Sequence, residues 1–393
     1  MHRAIPLSYS LRSVFQRRTR TLLTVVVMAL VVLAVTVMLS LVSGIQRTLV
    51  ETGEADNLIV MRKGATNDGS SMVPIEAYRA VAYFPGIASG ADGTPLVSPE
   101  MVVQPFFYRP DGGRENVLVR GVRSVAFAVH RNVRIAEGRA PRSSSGEAVI
   151  GRAVAARYAG AQLGGEMRFG HHVWKVVGIL EAGGSSFESE VWVDVNDLWN
   201  DANRAIYSGL RVKVAPGSDP RALVERVAAD ARWALEAKPE IDYYREQADS
   251  ANFLFRLTLA LGVIMGIGAS FGAMNTMFAA VKSRTAEIGT LRALGFSGRS
   301  ILVSFVTEAL AIALAGFAVG VLLAIAATLG INAVMKGVAI NLMTFTTATV
   351  ELRVSTTSAL QVFVLATLLG LAGGFLPARR AARLSPVEAL RRR

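Results

Sequence analysis

Residues 268–272 read Gly-Ala-Ser-Phe-Gly, the G-x-S-x-G spacing that presents a serine nucleophile for acyl hydrolysis. That chemistry needs a strand, a strained turn and then a helix, whereas Ser270 stands inside a long uninterrupted apolar run. The histidines, His2, His130, His171 and His172, lack metal-ligand spacing, and neighbours on a strand point to opposite faces. No G-x-x-x-x-G-K-[ST] occurs in the 393 residues, so a nucleotide is not held here by that route. Glu308 is an acid just inside an apolar stretch. A carboxylate in that setting is a functional candidate, or it can pair with an arginine such as Arg284 or Arg292 or reach the interface. What remains is the segment 282–295, a polar helix-like link between two apolar spans that a partner must grip, push or pull.

The elements that position this link are membrane helices. Hydrophobic residues make up 52% of the chain and charged residues 18%, and the apolar ones cluster at 21–44, 253–280, 304–330 and 360–377. Each cluster is near or above the ~18–20 residues that a helix needs to cross a ~30 Å hydrocarbon core. The first outruns the ~7–15-residue core of a signal peptide, and no small-x-small cleavage site follows it. Cysteine is absent, which excludes a disulfide framework and a lipid-modified cysteine.

Charge orients the spans. Residues 1–20 carry five arginines and no acid, 281–300 carry four bases against Glu287, and 377–393 carry six arginines against Glu388. The 24 bases and 26 acids of 45–251 nearly balance, so the net +12 sits in three short flanks of the spans. The positive-inside rule places both termini and the 281–300 link in the cytoplasm. The basic excess therefore says nothing about nucleic acid, and no nucleic-acid partner is expected. Within the leader, Leu7, Leu11, Val14 and Phe15 share one helical face, as suits an amphipathic anchor in the cytoplasmic interface.

The expected fold is an α-helical membrane domain of four transmembrane helices, with an α+β extracytoplasmic domain inserted between the first and second. Residues 45–252 are long enough for one or two lobes with their own core. Strands are expected at 57–62, 96–108, 116–121, 172–180, 190–195 and 209–214. Helices are expected at 75–83 and at 219–235, the latter opened by Asp219-Pro220 as cap and first-turn residue. The natural division makes 57–121 with 207–245 one lobe and inserts 122–206 as a second. Helical pattern continues past Gly44 through 46–51, and from Tyr243 to Arg256 into the second span, so both helices can extend outward as stalks. The external loop 331–359 is rich in Thr and Val, and 378–393 forms a basic cytoplasmic tail. Glycines at spacing four, Gly262 with Gly266, Gly268 with Gly272, Gly316 with Gly320 and Gly370 with Gly374, favour close helix packing in lipid, within the chain or between copies.

Three stretches converge on one resemblance. Residues 275–295, leading into Glu308, resemble the segment between the second and third membrane helices of MacB/FtsX-like permeases of ABC transporters. Residues 376–390 look like that family's C-terminal signature, and 17–23 like its approach to the first helix. The stretches 137–139, 147–151 and 176–180 are similar to the family's periplasmic core domain. The resemblance implies two permease copies, identical or homologous, in a bacterial inner membrane, each serving a separate ABC ATPase that binds ATP and Mg. No cofactor is implied on this chain, which departs from MacB in having no ATPase stretch, as Lol-, Dev- and FtsX-type permeases do. The link becomes the coupling helix, with Arg284, Glu287, Ile288, Gly289, Leu291 and Arg292 at or near the ATPase contact and Gly295 ending the helix. It further implies that hydrolysis moves the external domain through the stalks, for efflux or for extraction of a lipoprotein, lipid, peptide or drug. A periplasmic adaptor or a lipoprotein is then a partner. The alternative is a non-transporting, FtsX-like regulator of cell-wall hydrolases.

Overall fold

A computed structural model describes residues 18–110, 112–335, 338–341 and 347–386. The expected leader anchor and the end of the basic tail lie outside the described residues. Among the described residues, four helices are long and apolar enough to cross a membrane: α1 (Arg18–Val50), and, numbered after the small external helices below, α7 (Glu240–Ser283), α9 (Gly298–Met335) and α10 (Thr356–Ala382). The chain divides into two compact units, and α1 and α7 each contribute residues to both.

In the membrane unit the spaced glycines pack helix on helix inside the chain. A β-carbon added at Gly320 would stand 2.6 Å from Val32 and 2.7 Å from the Ala29 carbonyl oxygen, and one at Gly316 would stand 2.7 Å from Met28, so α9 rests directly on α1. Gly370 and Gly374 press on Ala313 and Ala309 in the same way, joining α10 to α9. Gly262 meets Val35, and Gly266 meets Leu369. Gly268 and Gly272 have no atom within 4 Å of where a β-carbon would be, so this pair does not share in the packing among the described residues. Ser270 lies inside α7 and donates to the Leu369 carbonyl at 3.1 Å, a helix-to-helix bond rather than a nucleophile's setting.

The external unit is built on a ten-stranded sheet. In chain order the strands are β1 (Asn57–Arg62), β2 (Val97–Val103), β5 (Leu118–Val122), β6 (Arg134–Gly138), β7 (Glu147–Gly151), β8 (Glu166–Phe169), β9 (His172–Glu181), β10 (Glu190–Asp194), β11 (Gly209–Lys213) and β12 (Leu235–Pro239). They run in the order β12-β1-β11-β2-β5-β10-β7-β9-β6, with β8 on β9. Two hairpins stand apart, β3 (Phe106–Tyr108) with β4 (Arg114–Asn116) and β13 (Val338–Asn341) with β14 (Thr347–Val350). The small helices are α2 (Ile75–Val81), α3 (Ala126–Val129), α4 (Arg152–Ala155), α5 (Val195–Ala202) and α6 (Pro220–Ala229).

Two expectations need correction. Residues 122–206 do not form a lobe with a sheet of their own. β10 pairs in parallel with β5, Glu190 opposite Leu118 through Asp194 opposite Val122, and so continues the sheet that β2 and β5 leave with an open edge. One core then takes Leu58 and Leu210 from the first part together with Ile150 and Trp174 from the inserted part. The helix expected over 219–235 stops at Ala229. Its start is as read, since Asp219 accepts from the Arg221 amide at 2.9 Å with Pro220 in the first turn. At the far end Ala234 takes a positive φ of 47°, which reverses the chain, and Leu235 and Ala237 alternate inward as strand β12 on β1.

Candidate coupling site

The link between α7 and α9 folds as an independent short helix, α8 (Thr285–Ala293). α7 ends because its last carbonyls are taken by side chains and by the turn itself. The Ser283 hydroxyl donates to the Ala280 carbonyl at 2.9 Å, and the Thr285 hydroxyl donates to the Lys282 carbonyl at 2.8 Å. Arg284 leaves helical geometry at φ −107°, ψ 12° and α8 begins. Its other end closes as a Schellman motif: the Phe296 amide donates to Leu291, the Gly295 amide donates to Arg292, and Gly295 sits at φ +90°. Two residues on, the Ser297 hydroxyl accepts from the Ser300 amide and starts α9, while Gly298 lets the chain pass 2.7 Å from the Ala382 carbonyl oxygen by the measure of an added β-carbon.

α8 is two-faced. Ile288 is 2% exposed, packed with Val281, Ile301, Phe305 and Ala378, and Gly289 is buried beside it. Ala286, Glu287, Thr290, Ala293 and Leu294 face outward, at the i, i+4 and i+7 spacings that line one side of a helix. Leu294 is 62% exposed, the one large apolar side chain on that stripe, and the sequence reading does not single it out.

Charge holds the inner face down. Arg284 Nη1 stands 3.0 Å from Glu308 Oε2 on α9, and Arg284 Nε stands 3.4 Å from Glu287 Oε2 on α8, with the guanidinium over the Phe305 ring. Of the two arginines expected for Glu308, Arg284 is the partner. Arg292 instead donates to the Phe296 carbonyl at 3.3 Å, within its own turn. Partial burial, and then the charge of Glu308, hold the Glu287 carboxyl above its ordinary value. A notch lined by Arg284, Glu287, Ile288, Leu291 and Phe305 measures about 20 Å³, room for one water and not for a ligand. Among the described residues no three His, Cys, Asp or Glu side chains come together as a metal site. The arrangement presents a small stripe, part polar and part apolar, on a helix held to α9 by the Arg284–Glu308 pair and by Ile288.

The sequence reading also misses a second cluster, in the external unit. Arg120 and Arg211 are buried in the sheet at 2% and 0% exposure among Asp68, Glu100, Glu190 and Glu240. Single charged residues inside otherwise apolar strand patterns are the only sequence trace of it.

Membrane helices closed by glycine contacts, an α/β unit placed after the first helix and a capped polar helix between the second and third define a polytopic membrane protein with an inserted α/β domain. A family model described as MacB-like periplasmic core domain matches residues 21–230, more than half of the chain, and one described as FtsX-like permease C-terminal matches 259–386. The chain belongs to the MacB/FtsX-like family of ABC transporter permeases. It is 27% identical over 414 residues to the pyoverdine export ATP-binding/permease protein PvdT of Pseudomonas entomophila, covering 96% of this chain and 58% of that protein. It is 42% identical over 136 residues to the macrolide export ATP-binding/permease protein MacB of Acinetobacter baylyi, covering 35% of this chain and 19% of that protein. Among solved structures, the periplasmic region of MacB from Actinobacillus actinomycetemcomitans aligns at 13% identity with a TM-score of 0.39, over 49% of this chain and 93% of that one.

Proposed function

We propose that the chain is the permease subunit of an ABC export or extraction system in a bacterial inner membrane, with both termini in the cytoplasm. Two permease copies, identical or homologous, work with two separate ATPase subunits, which hold ATP and Mg, and the 393 residues themselves catalyse nothing. The observation that carries this is α8: an independently capped helix on a basic link, one face fixed by Ile288 and by the Arg284–Glu308 pair, the other offering Glu287, Thr290 and Leu294. A surface of that kind suits a protein partner that pushes on it. α1 and α7, with 33 and 44 residues, are roughly 50 and 66 Å long along their axes against a ~30 Å core, a surplus that supports their use as stalks.

Likeness to the pyoverdine and macrolide exporters favours export over the regulation of a cell-wall hydrolase. Purifying the intact chain and identifying what travels with it tests the proposal. An ABC ATPase is expected, with a periplasmic adaptor if the system is an efflux pump or a lipoprotein if it extracts one. A cell-wall hydrolase in place of both would favour the regulator.

A further inference from the structure

The first residue of α7 is a carboxylate with no exposure to solvent. Glu240 is 0% exposed, and both its oxygens are committed: Oε1 accepts from Arg211 Nε at 3.0 Å, and Oε2 accepts from Asn57 Nδ2 and from the Glu54 amide, each at 3.1 Å. Those three donors belong to β11, to β1 and to the turn that joins α1 to β1. Glu240 therefore ties the outer ends of both long helices to each other and to the sheet.

Two contacts made without charge repeat the link between the helices. Gly53 passes so close to the first turn of α7 that a β-carbon on it would stand 3.0 Å from the Ile241 α-carbon, and Gln46 on α1 donates to Asn252 on α7 at 2.9 Å. Behind Glu240 the charges run on through the sheet. Arg211 also meets Asp68 at 3.1 Å, and Asp68 and Glu190 share Arg120, at 3.4 and 2.7 Å. Buried ion pairs like these add little stability over a well-packed apolar core, because desolvation offsets their attraction. What they do supply is direction: a charged hydrogen bond fixes one geometry where apolar side chains would slide.

We propose that Glu240 is a positioning residue for coupling, a clamp that makes the ends of α1 and α7 move as one body with β11. The coupling half rests on the function proposed above, and the clamp half does not. Because the chain has no cysteine, spin labels placed at the exposed positions Glu51 and Arg245 would report the clamp alone in the full-length protein in nanodiscs. With the wild-type clamp the label-to-label distance distribution is narrow, and Glu240→Gln broadens it while the protein stays folded. In the complex with its copurifying ATPase, the same variant lowers the ATP-driven movement of external-domain labels by about tenfold, within the usual range of a coupling effect, with hydrolysis retained.

Should Glu240→Gln fail to fold, the double variant Glu240→Leu with Arg211→Met removes both members of the pair, leaving Asp68 to Arg120, and the same broadening is expected. An unchanged distribution in a folded variant overturns the clamp. A broadened distribution with undiminished movement overturns the coupling role and leaves the proposed function intact. A wild-type chain that binds no ATPase overturns the proposed function and with it the coupling role, while the broadening still reports the clamp.

Discussion

Arg284 Nη1 lies 3.0 Å from Glu308 Oε2, joining the residue before α8 to the third turn of α9 across a gap of 24 positions. Both side chains are mostly buried, at 13% and 9% exposure. An acid that the sequence offers as a functional candidate is thereby the counter-ion that holds α8 in place. Breaking a buried pair by removing one partner costs roughly 3 kcal/mol or more, because the other charge is left unpaired. Glu308→Ala and Arg284→Ala are each expected to speed amide exchange across α8, and Arg284→Glu with Glu308→Arg together to slow it again. Hydrogen exchange on the detergent-solubilised protein reads this directly. Equal protection in the single variants would show that Ile288 alone holds the helix.

Gly295 ends α8 at φ +90°, a conformation a side chain resists. Gly295→Ala is expected to cost about 1 kcal/mol and to loosen the Schellman turn. Calorimetry, together with exchange at the Phe296 amide, is the check. Gly64 has a similar φ of 82° and open space around it, so Gly64→Ala serves as a control for strain away from the coupling site.

The glycine contacts separate by site. Gly320→Ala drives a methyl against the Ala29 backbone and Gly374→Ala drives one against Ala309, so both variants should melt at lower temperature. Gly268→Ala should leave the melting temperature of the isolated chain within a degree or so, since nothing lies within 4 Å. A loss of stability in Gly268→Ala equal to that in Gly320→Ala would contradict the packing described.

Around the buried arginines, burial by itself would raise the carboxyls of Asp68 and Glu100, but the charges facing them outweigh it, Arg120 and Arg211 for Asp68 and His130, Arg211 and Arg120 for Glu100. Both end below their ordinary values of 3.8 and 4.5. A depressed carboxylate contributes stability that is present in full above its unfolded pKa and is lost as pH falls toward the folded one. The external unit should therefore lose stability progressively as pH falls below about 4. Fluorescence of the buried Trp174 and Trp192 follows the transition. Glu100→Gln should flatten that acid limb, and an acid limb unchanged in the variant would count against the network as its source.

The membrane helices were legible because their signal is cumulative: about twenty apolar residues outweigh any local ambiguity, and flanking arginines mark their ends. The cap of α8 at Gly295 and the cap of α6 at Asp219 were readable for the opposite reason, each resting on one residue with a narrow conformational role. The pairing of β10 with β5 was not, since it joins residues some seventy positions apart and depends on which sheet edge is free. Neither was the cluster around Arg120 and Arg211. An arginine in a strand reads as solvent-facing until the topology brings Glu100, Glu190 and Glu240 against it. At the coupling site the same limit held: Arg292 and Glu287 look alike in sequence, but Arg292 turns back onto the Phe296 carbonyl while Glu287 and Leu294 face out.

The most direct measurement is copurification of an ABC ATPase with the full-length chain, compared between the wild type and the variant Glu287→Arg with Leu294→Asp, whose changes lie on the outward stripe of α8. The wild type is expected to carry the ATPase, and the variant to be folded, membrane-inserted and stripped of it or at least tenfold poorer in it, about 1.4 kcal/mol of contact. A variant that retains the ATPase in full, or a wild type that brings none down, would contradict α8 as the surface on which the partner acts.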